Sequence, residues 1–290
     1  MPRKILKWSL ITIGALSIIV IAFYAIVYFN TESRINKIYR VKLGELVIPT
    51  DSASYFRGEH IAINRGCKGC HGDNLASGEV FMDPKSPLGV LYAKNITSGK
   101  GGIHFTNADW LRVLRHGLDS NYKSLWFMPS HEVYHISNQD MADLICYLKQ
   151  QPPVDKEMPA HSIKPLGRIL TFLNQFPLLP AEMIDHNAVY KDTVPATLTA
   201  DYGGYLATTC KGCHGSDFKG SPSHNDKDPA IPDISSTGHP GKWTANDFLT
   251  VLHTGRTPEK RQLSDAMPYK LFKFTDKELN SIYLYLHQLK

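Results

Sequence analysis

The pentapeptide Cys-Lys-Gly-Cys-His occurs twice in this chain, as Cys67-Lys68-Gly69-Cys70-His71 and as Cys210-Lys211-Gly212-Cys213-His214, at an offset of 143 residues. Nothing else in the sequence restricts the fold so tightly. Two thiols three positions apart on a helical turn can each form a thioether to one porphyrin edge, and the adjacent His then projects under the ring toward the iron. Cys-x-x-Cys-His is the attachment signature of c-type haem. A single copy could be a thioredoxin-like redox pair or half of a zinc site. Zinc, however, would draw on both Cys pairs or on His pairs to complete one tetrahedron, and here each motif sits in its own complete repeat.

The repeat extends well past the motifs. Ala93-Lys-Asn-Ile-Thr-Ser98 parallels Ile231-Pro-Asp-Ile-Ser-Ser236, and Phe105 to Leu111 parallels Trp243 to Leu249. Leu114 to Gly117 answers Leu252 to Gly255, Met128-Pro129 answers Met267-Pro268, and Ile136 to Leu148 answers Phe274 to Leu286. The offset falls from 143 at the cysteines to 138–139 afterwards, so small loop insertions separate two copies of one domain. A solenoid would need at least three units.

Each copy reads as helices joined by loops. Tyr55, Ile61 and Ala62 lead on a helix into the first motif; Tyr205, Leu206 and Ala207 lead into the second. Thr106 and Thr244, followed at the third position by Asp109 and Asp247, have the form of capping boxes. The helices behind them place Trp110, Leu111 and Leu114, or Phe248, Leu249 and Leu252, on one face and end near Gly117 or Gly255. Ser137 and Thr275 are expected to cap the last helix of each copy. Strand-period alternation is lacking, so the expected fold class is all-α: an N-terminal transmembrane helix followed by two tandem cytochrome c-like haem domains. Cys146, which aligns with Leu284, is expected to be a buried small hydrophobe.

His71 and His214 supply one axial ligand each. For the opposite face of each iron, every copy offers one Met-Pro in the loop between its last two helices, Met128 and Met267. A thioether is a soft ligand suited to haem iron, and His/Met ligation raises the reduction potential. Met82 lies too close to His71 in sequence to reach the other face. His131 and His135 stand near Met128, and either could replace it. No such rival follows Gly255 before Met267.

These stretches resemble class I c-type cytochrome domains. Over Asn95-Ile-Thr through Leu148 the first copy is similar to the haem domains of membrane cytochrome c subunits of bacterial alcohol and gluconate dehydrogenases. Asn-Ile-Thr, Phe-Thr-x-Ala-Asp, Leu-Arg-His-Gly and Met-Pro carry the likeness, which covers residues 53–152 well and 196–290 moderately. The resemblance implies two covalent haem c groups, with Cys67, Cys70, Cys210 and Cys213 as attachment points. It implies Met128 and Met267 as distal ligands, and a Met loop that borders the exposed haem edge. It also implies attachment on the far side of the bacterial cytoplasmic membrane. The chain departs from those subunits in having two haem motifs instead of three, and an N-terminal anchor. Small membrane cytochromes that feed terminal oxidases fit equally well.

From Trp8 to Phe29 there are 22 uncharged residues. At about 1.5 Å per residue such a helix crosses a hydrocarbon core of roughly 30 Å. The run exceeds the apolar stretch of a cleaved leader and is expected to be an uncleaved anchor. Arg3, Lys4 and Lys7 favour a cytoplasmic N-terminus, although Arg34, Lys37, Arg40 and Lys42 follow the run; the cysteines settle the orientation. The expected organisation is an anchor over 1–30, a juxtamembrane linker over 31–52, haem domains over 53–152 and 196–290, and a Pro-rich connector over 153–195. Within the connector, the apolar piece from Leu166 to Leu179 is too short to span a membrane. It is expected to pack as a helical turn between the two haem domains, membrane-surface contact being the alternative.

The net charge of +5 is no nucleic-acid footprint. The expected function is electron transfer between a redox protein or membrane respiratory complex and a second partner, with no small-molecule substrate and no catalytic residue. The alternative is a haem enzyme such as a di-haem peroxidase or sulfur-compound dehydrogenase. That chemistry needs an open iron position with an acid/base residue above it. Arg256, Lys260, Arg261, Lys270 and Lys273 around the second Met loop read either as a solvated basic loop with no partner or as a docking face for an acidic acceptor.

Overall fold

The computed structural model of the chain describes residues 2–76, 78–222 and 230–290. Helix α1, Pro2–Ile35, opens it. Its apolar side chains are exposed from Ile5 to Ile21, among them Ile18 at 69% and Ile21 at 68%. By length and composition this helix is long and apolar enough to cross a membrane.

The first helical unit follows: α2, Ser52–Asn64; α3, Cys67–His71; strands β1, Val80–Met82, and β2, Gly89–Tyr92; α4, Asn107–His116; α5, Ser130–Val133; and α6, Asn138–Lys149. Asp51 starts α2 by accepting from the Ser54 backbone N–H at 3.0 Å. Thr106 and Asp109 close a reciprocal capping box on α4, and Gly117, at φ 63, ends it in the left-handed region where glycine is favoured. Ser137 caps α6. Trp110, Leu111, Leu114, Met141, Leu144, Ile145 and Leu148 form one buried core, and Cys146 is 1% exposed.

The connector carries β3, Ser162–Ile163, and α7, Pro165–Phe172. The second unit repeats the first with α8, Ala200–Ala207; α9, Lys211–His214; α10, Ala245–Thr254; and α11, Asp276–Leu286. Thr244 and Thr275 cap α10 and α11 with full capping boxes, and Phe248, Val251, Leu279, Ile282 and Leu286 anchor a separate core. The two units share one close helix crossing. A Cβ at Gly58 on α2 would lie 1.9 Å from the Asp143 carbonyl oxygen of α6, and one at Gly203 on α8 would lie 1.8 Å from that of Ser281 on α11. Asp143 and Ser281 differ by the repeat offset of 138, so the same glycine contact brings first and last helix together in each copy.

Two expectations need correction. The chain is largely helical, but β1 pairs antiparallel with β2 and β2 with β3. Strands of three, four and two residues are too short for a period of two to register in sequence. β1 and β2 lie in the longer stretch between motif and Asn95, where the first copy has five residues more than the second. Second, α7 does not pack between the two units. It lies along the end of α1, with the Phe172 ring edge-on to Phe23 at 6.4 Å and Arg168 paired to Glu32 at 2.8 Å.

Candidate functional site

Each motif histidine sits at the C-terminal end of a one-turn helix, α3 or α9. The His71 Nδ1 lies 2.7 Å from the carbonyl oxygen of Lys94, and His214 Nδ1 lies 2.9 Å from that of Pro232. A carbonyl only accepts, so Nδ1 carries the proton in both rings and Nε2 is left with its lone pair free for a metal. Burial lowers the pKa of both imidazoles, partly opposed by these same bonds, which keeps them neutral and able to ligate.

What aims those carbonyls is the repeated Asn-Ile-Thr and Asp-Ile-Ser. Asn95 Oδ1 accepts from the Thr97 N–H and hydroxyl, both at 2.9 Å. Asp233 Oδ1 accepts from the Ser235 N–H at 2.7 Å and its hydroxyl at 2.6 Å. Both are Asx turns, and each fixes the residue just before it, Lys94 or Pro232. Burial opposes ionisation of Asp233, but Ser235, Thr237 and Lys219 hold its carboxyl down at about 2.

Enclosure pushes the Cys67 and Cys210 thiols up to about 12 and raises Cys70 and Cys213 as well. A reactive or zinc-binding dithiol needs the opposite shift. Thiols consumed as thioethers never meet that requirement.

A cavity of about 1020 Å³ opens beside α3. His71, Cys70 and Met128 share its wall with apolar side chains such as Ile96, Phe105, Val113 and Phe127. Its volume is at the upper end for small-molecule and cofactor sites, roughly 300–1,000 Å³. An imidazole nitrogen, a thioether, an attachment thiol and a greasy lining in one cavity fit haem c.

The Met128 loop is held from two sides. The Leu125 N–H donates to the Gly117 carbonyl at 2.7 Å, as Leu263 does to Gly255, again at 2.7 Å. Phe127, at φ 62, lies between the rings of Phe81 at 4.9 Å and Phe176 at 5.6 Å, and its N–H donates to Leu178. Both rival histidines line the cavity; the Nε2 of His135 lies 2.9 Å from the Thr208 hydroxyl, also in its wall. His131 lines the cavity with Met128, and its buried Nδ1 has no hydrogen-bond partner. Met82 is buried in β1. In the second unit His214 is buried, and Met267 is half-buried in the loop between α10 and α11. Arg256, Lys260, Arg261, Lys270 and Lys273 around that loop are all exposed.

The units meet through their motifs. Lys211 and Gly212 complete the wall of the first cavity. A Cβ at Gly212 would stand 2.5 Å from Glu132 Oε1, and one at Gly69 would stand 3.6 Å from Leu271 Cδ1. The middle glycine of each motif thus faces the Met-loop segment of the other unit. Arg65 donates to Thr208, its counterpart at the offset of 143, so a pseudo-two-fold axis passes between them. Around that axis His60 Nε2 lies 2.9 Å from Glu278 Oε1, while Tyr205 donates to Asp140, the counterpart of Glu278. Asn64 joins in by accepting from Thr209 and Lys273, each at 2.8 Å.

The chain is similar in sequence to known cytochrome c proteins. The family model for cytochrome c matches residues 202–290, the copy in which the sequence likeness is thinner. The cytochrome c subunit of the quinone alcohol dehydrogenase of Gluconacetobacter polyoxogenes is 27% identical over 281 residues, covering 82% of this chain and 56% of that subunit. The fructose dehydrogenase cytochrome subunit of Gluconobacter japonicus is 25% identical over 264 residues, 81% of this chain and 52% of its own length. A diheme cytochrome c-type protein of Cereibacter sphaeroides is 28% identical over 226 residues, 70% and 74% of the two chains. The chain spans about half the length of the dehydrogenase subunits it matches. It carries a cytochrome c domain over residues 202–290 and is homologous, over most of its length, to cytochrome c subunits of quinone alcohol and fructose dehydrogenases.

Proposed function

We propose that the chain is an electron carrier holding two haem c groups, one per unit, on a membrane anchor. Cys67 and Cys70, and Cys210 and Cys213, tether the two groups. His71 with Met128, and His214 with Met267, ligate the two irons. When bound, each haem supplies an iron that gains and loses one electron. The protein's part is to fix and insulate. Lys94 and Pro232 hold the histidines in one tautomer and orientation, the Phe81–Phe127–Phe176 stack holds the Met128 loop, and the apolar lining keeps water away.

The observation that carries this reading is the shared wall: the cavity joining His71 to Met128 is completed by Lys211 and Gly212 of the second motif. A cofactor there adjoins the neighbouring attachment site, as passage of an electron from one unit to the other requires. α1 would hold the assembly on the periplasmic face of the cytoplasmic membrane. The donor or acceptor would be a dehydrogenase or a membrane respiratory complex, since the relatives named above are dehydrogenase subunits. The exposed cations around the Met267 loop suit an acidic face on such a partner.

The test is haem counting on protein purified from native membranes in mild detergent. Two haems per chain should resist acid–acetone extraction, and the reduced protein should bind no carbon monoxide. One haem, or two extractable ones, would overturn the reading; stoichiometric carbon monoxide binding would favour a haem enzyme.

A further inference from the structure

Among the described residues no protein covers the apolar surface of helix α7, and a docking site sets its depth. Leu166 is 42% exposed and Leu173, just past its end, 51%. Its charges are all turned to protein partners. Arg168 reaches Glu32 at 2.8 Å and the Thr31 hydroxyl at 3.0 Å, and lies over the Tyr28 ring at 4.5 Å. The Nζ of Lys164, at the N-cap, donates to the carbonyls of Pro84 and Ser86, both at 2.8 Å. Arg34 of α1 closes the far end by donating to the Thr171 carbonyl at 2.9 Å. A surface helix in water normally keeps charge on its outward face. This one presents leucines.

Its level on α1 follows from arithmetic. A hydrocarbon core of roughly 30 Å takes about 20 residues, which counted from Trp8, next to the charged Lys7, reach Val27. Val27 is fully buried beside α7, and Phe23, four residues earlier, lies about 6 Å inside that boundary by helical rise. Phe23 is the residue that meets Phe172. The Phe172 ring therefore reaches the level where acyl chains begin, while the backbone of that end, held at Thr171 by Arg34, stays with Arg168 and Glu32 at the headgroup level.

We propose that α7 is seated in the bilayer interface, with lipid acyl chains covering Leu173 and the open edge of Phe172. It is a second contact with the membrane, lateral to α1, and fixes the tilt and rotation of the haem units over the bilayer. Phe176, four residues beyond α7, stacks on Phe127 next to Met128, so the same segment ties the membrane surface to the first Met loop. The proposal rests on α1 being a membrane anchor.

The test is spin labelling of the full haem-loaded chain in phosphatidylethanolamine/phosphatidylglycerol vesicles, on a Cys146→Ala background. Nitroxides are placed at Ile18→Cys in the apolar run, at Leu173→Cys, and at Val189→Cys, where the native residue is 97% exposed. The readout is collision with oxygen against collision with a water-soluble nickel chelate. Leu173 should favour oxygen as Ile18 does, and Val189 should favour the chelate. Ile18 in lipid with Leu173 as aqueous as Val189 would overturn the proposal and leave the anchor standing. Ile18 and Leu173 both aqueous would remove the anchor and the proposal together. A Leu173 label that is aqueous in vesicles but shielded in native membranes would assign the face to a protein partner, and overturn the proposal likewise.

Discussion

At the scale of single residues, the ligand loops differ more than the histidines do. His71 and His214 have equivalent carbonyl partners, Lys94 and Pro232, and the same free nitrogen, but Met128 shares its cavity wall with His131 and His135 while Met267 has no such neighbour within its loop. Replacing Met267 by Ala should open the second haem to carbon monoxide and lower its potential, leaving the first unchanged; reduced-minus-oxidised spectra in a redox titration, with and without the gas, check this. Glu132 is the other residue with consequences for both sites. It abuts Gly212, and its charge acts on both Cys70 and Cys213, the second thiol of each motif. Burial raises its pKa, with Arg65 opposing. On the two-haem reading, a carboxylate beside both motifs favours the oxidised state of both irons, so Glu132→Gln should raise both potentials together, on the order of tens of mV for one charge removed in a protein-like dielectric. A shift confined to one haem would show that Glu132 acts through ligation. The thiols and histidines were legible in sequence because their chemistry lies in residue type. The carbonyls of Lys94 and Pro232 were not, since any residue supplies a carbonyl; only the repeated Asn-Ile-Thr and Asp-Ile-Ser pointed to that place.

Among the elements, the helices follow their local signals. Thr106, Ser137, Thr244 and Thr275 all cap the helices they precede, and the Thr-x-x-Asp pattern of α4 and α10 closes as a reciprocal box. Thr244→Ala should cost about 1 kcal/mol and lower the melting temperature of the haem-loaded protein by a few degrees, read by circular dichroism, with Thr244→Ser near wild type. The glycines at the helix crossings gave no comparable signal. Gly58 and Gly203 sit inside helices where propensity alone disfavours them, and what requires them is a backbone oxygen on α6 or α11, some 80 residues away in sequence. The partner of α7 was hidden for a related reason: an apolar stripe says that a face will be covered, not by what.

For the molecule as a whole, the interface between units is polar and conditional. Burial works against ionisation of Glu278, but His60 and the Thr275 backbone and hydroxyl hold its carboxyl below the ordinary glutamate value. A carboxyl with a depressed folded pKa adds stability above its unfolded value, and that stability is lost as pH falls through the folded one. The wild type should therefore lose thermal stability below about pH 4.5 more steeply than Glu278→Gln, seen in melting curves across a pH series. Equal slopes would mean that the His60 contact does not support the interface. No spacing rule could have announced these contacts, because Arg65 and Thr208 or His60 and Glu278 meet only once both copies are folded. The covering of Gly69 and Gly212 by the opposite unit also bears on biogenesis. Enzymes that ligate haem must reach both thiols of a motif, so on the two-haem reading both attachments precede closure of the halves. On that reading, docking of the two units becomes the last step of maturation.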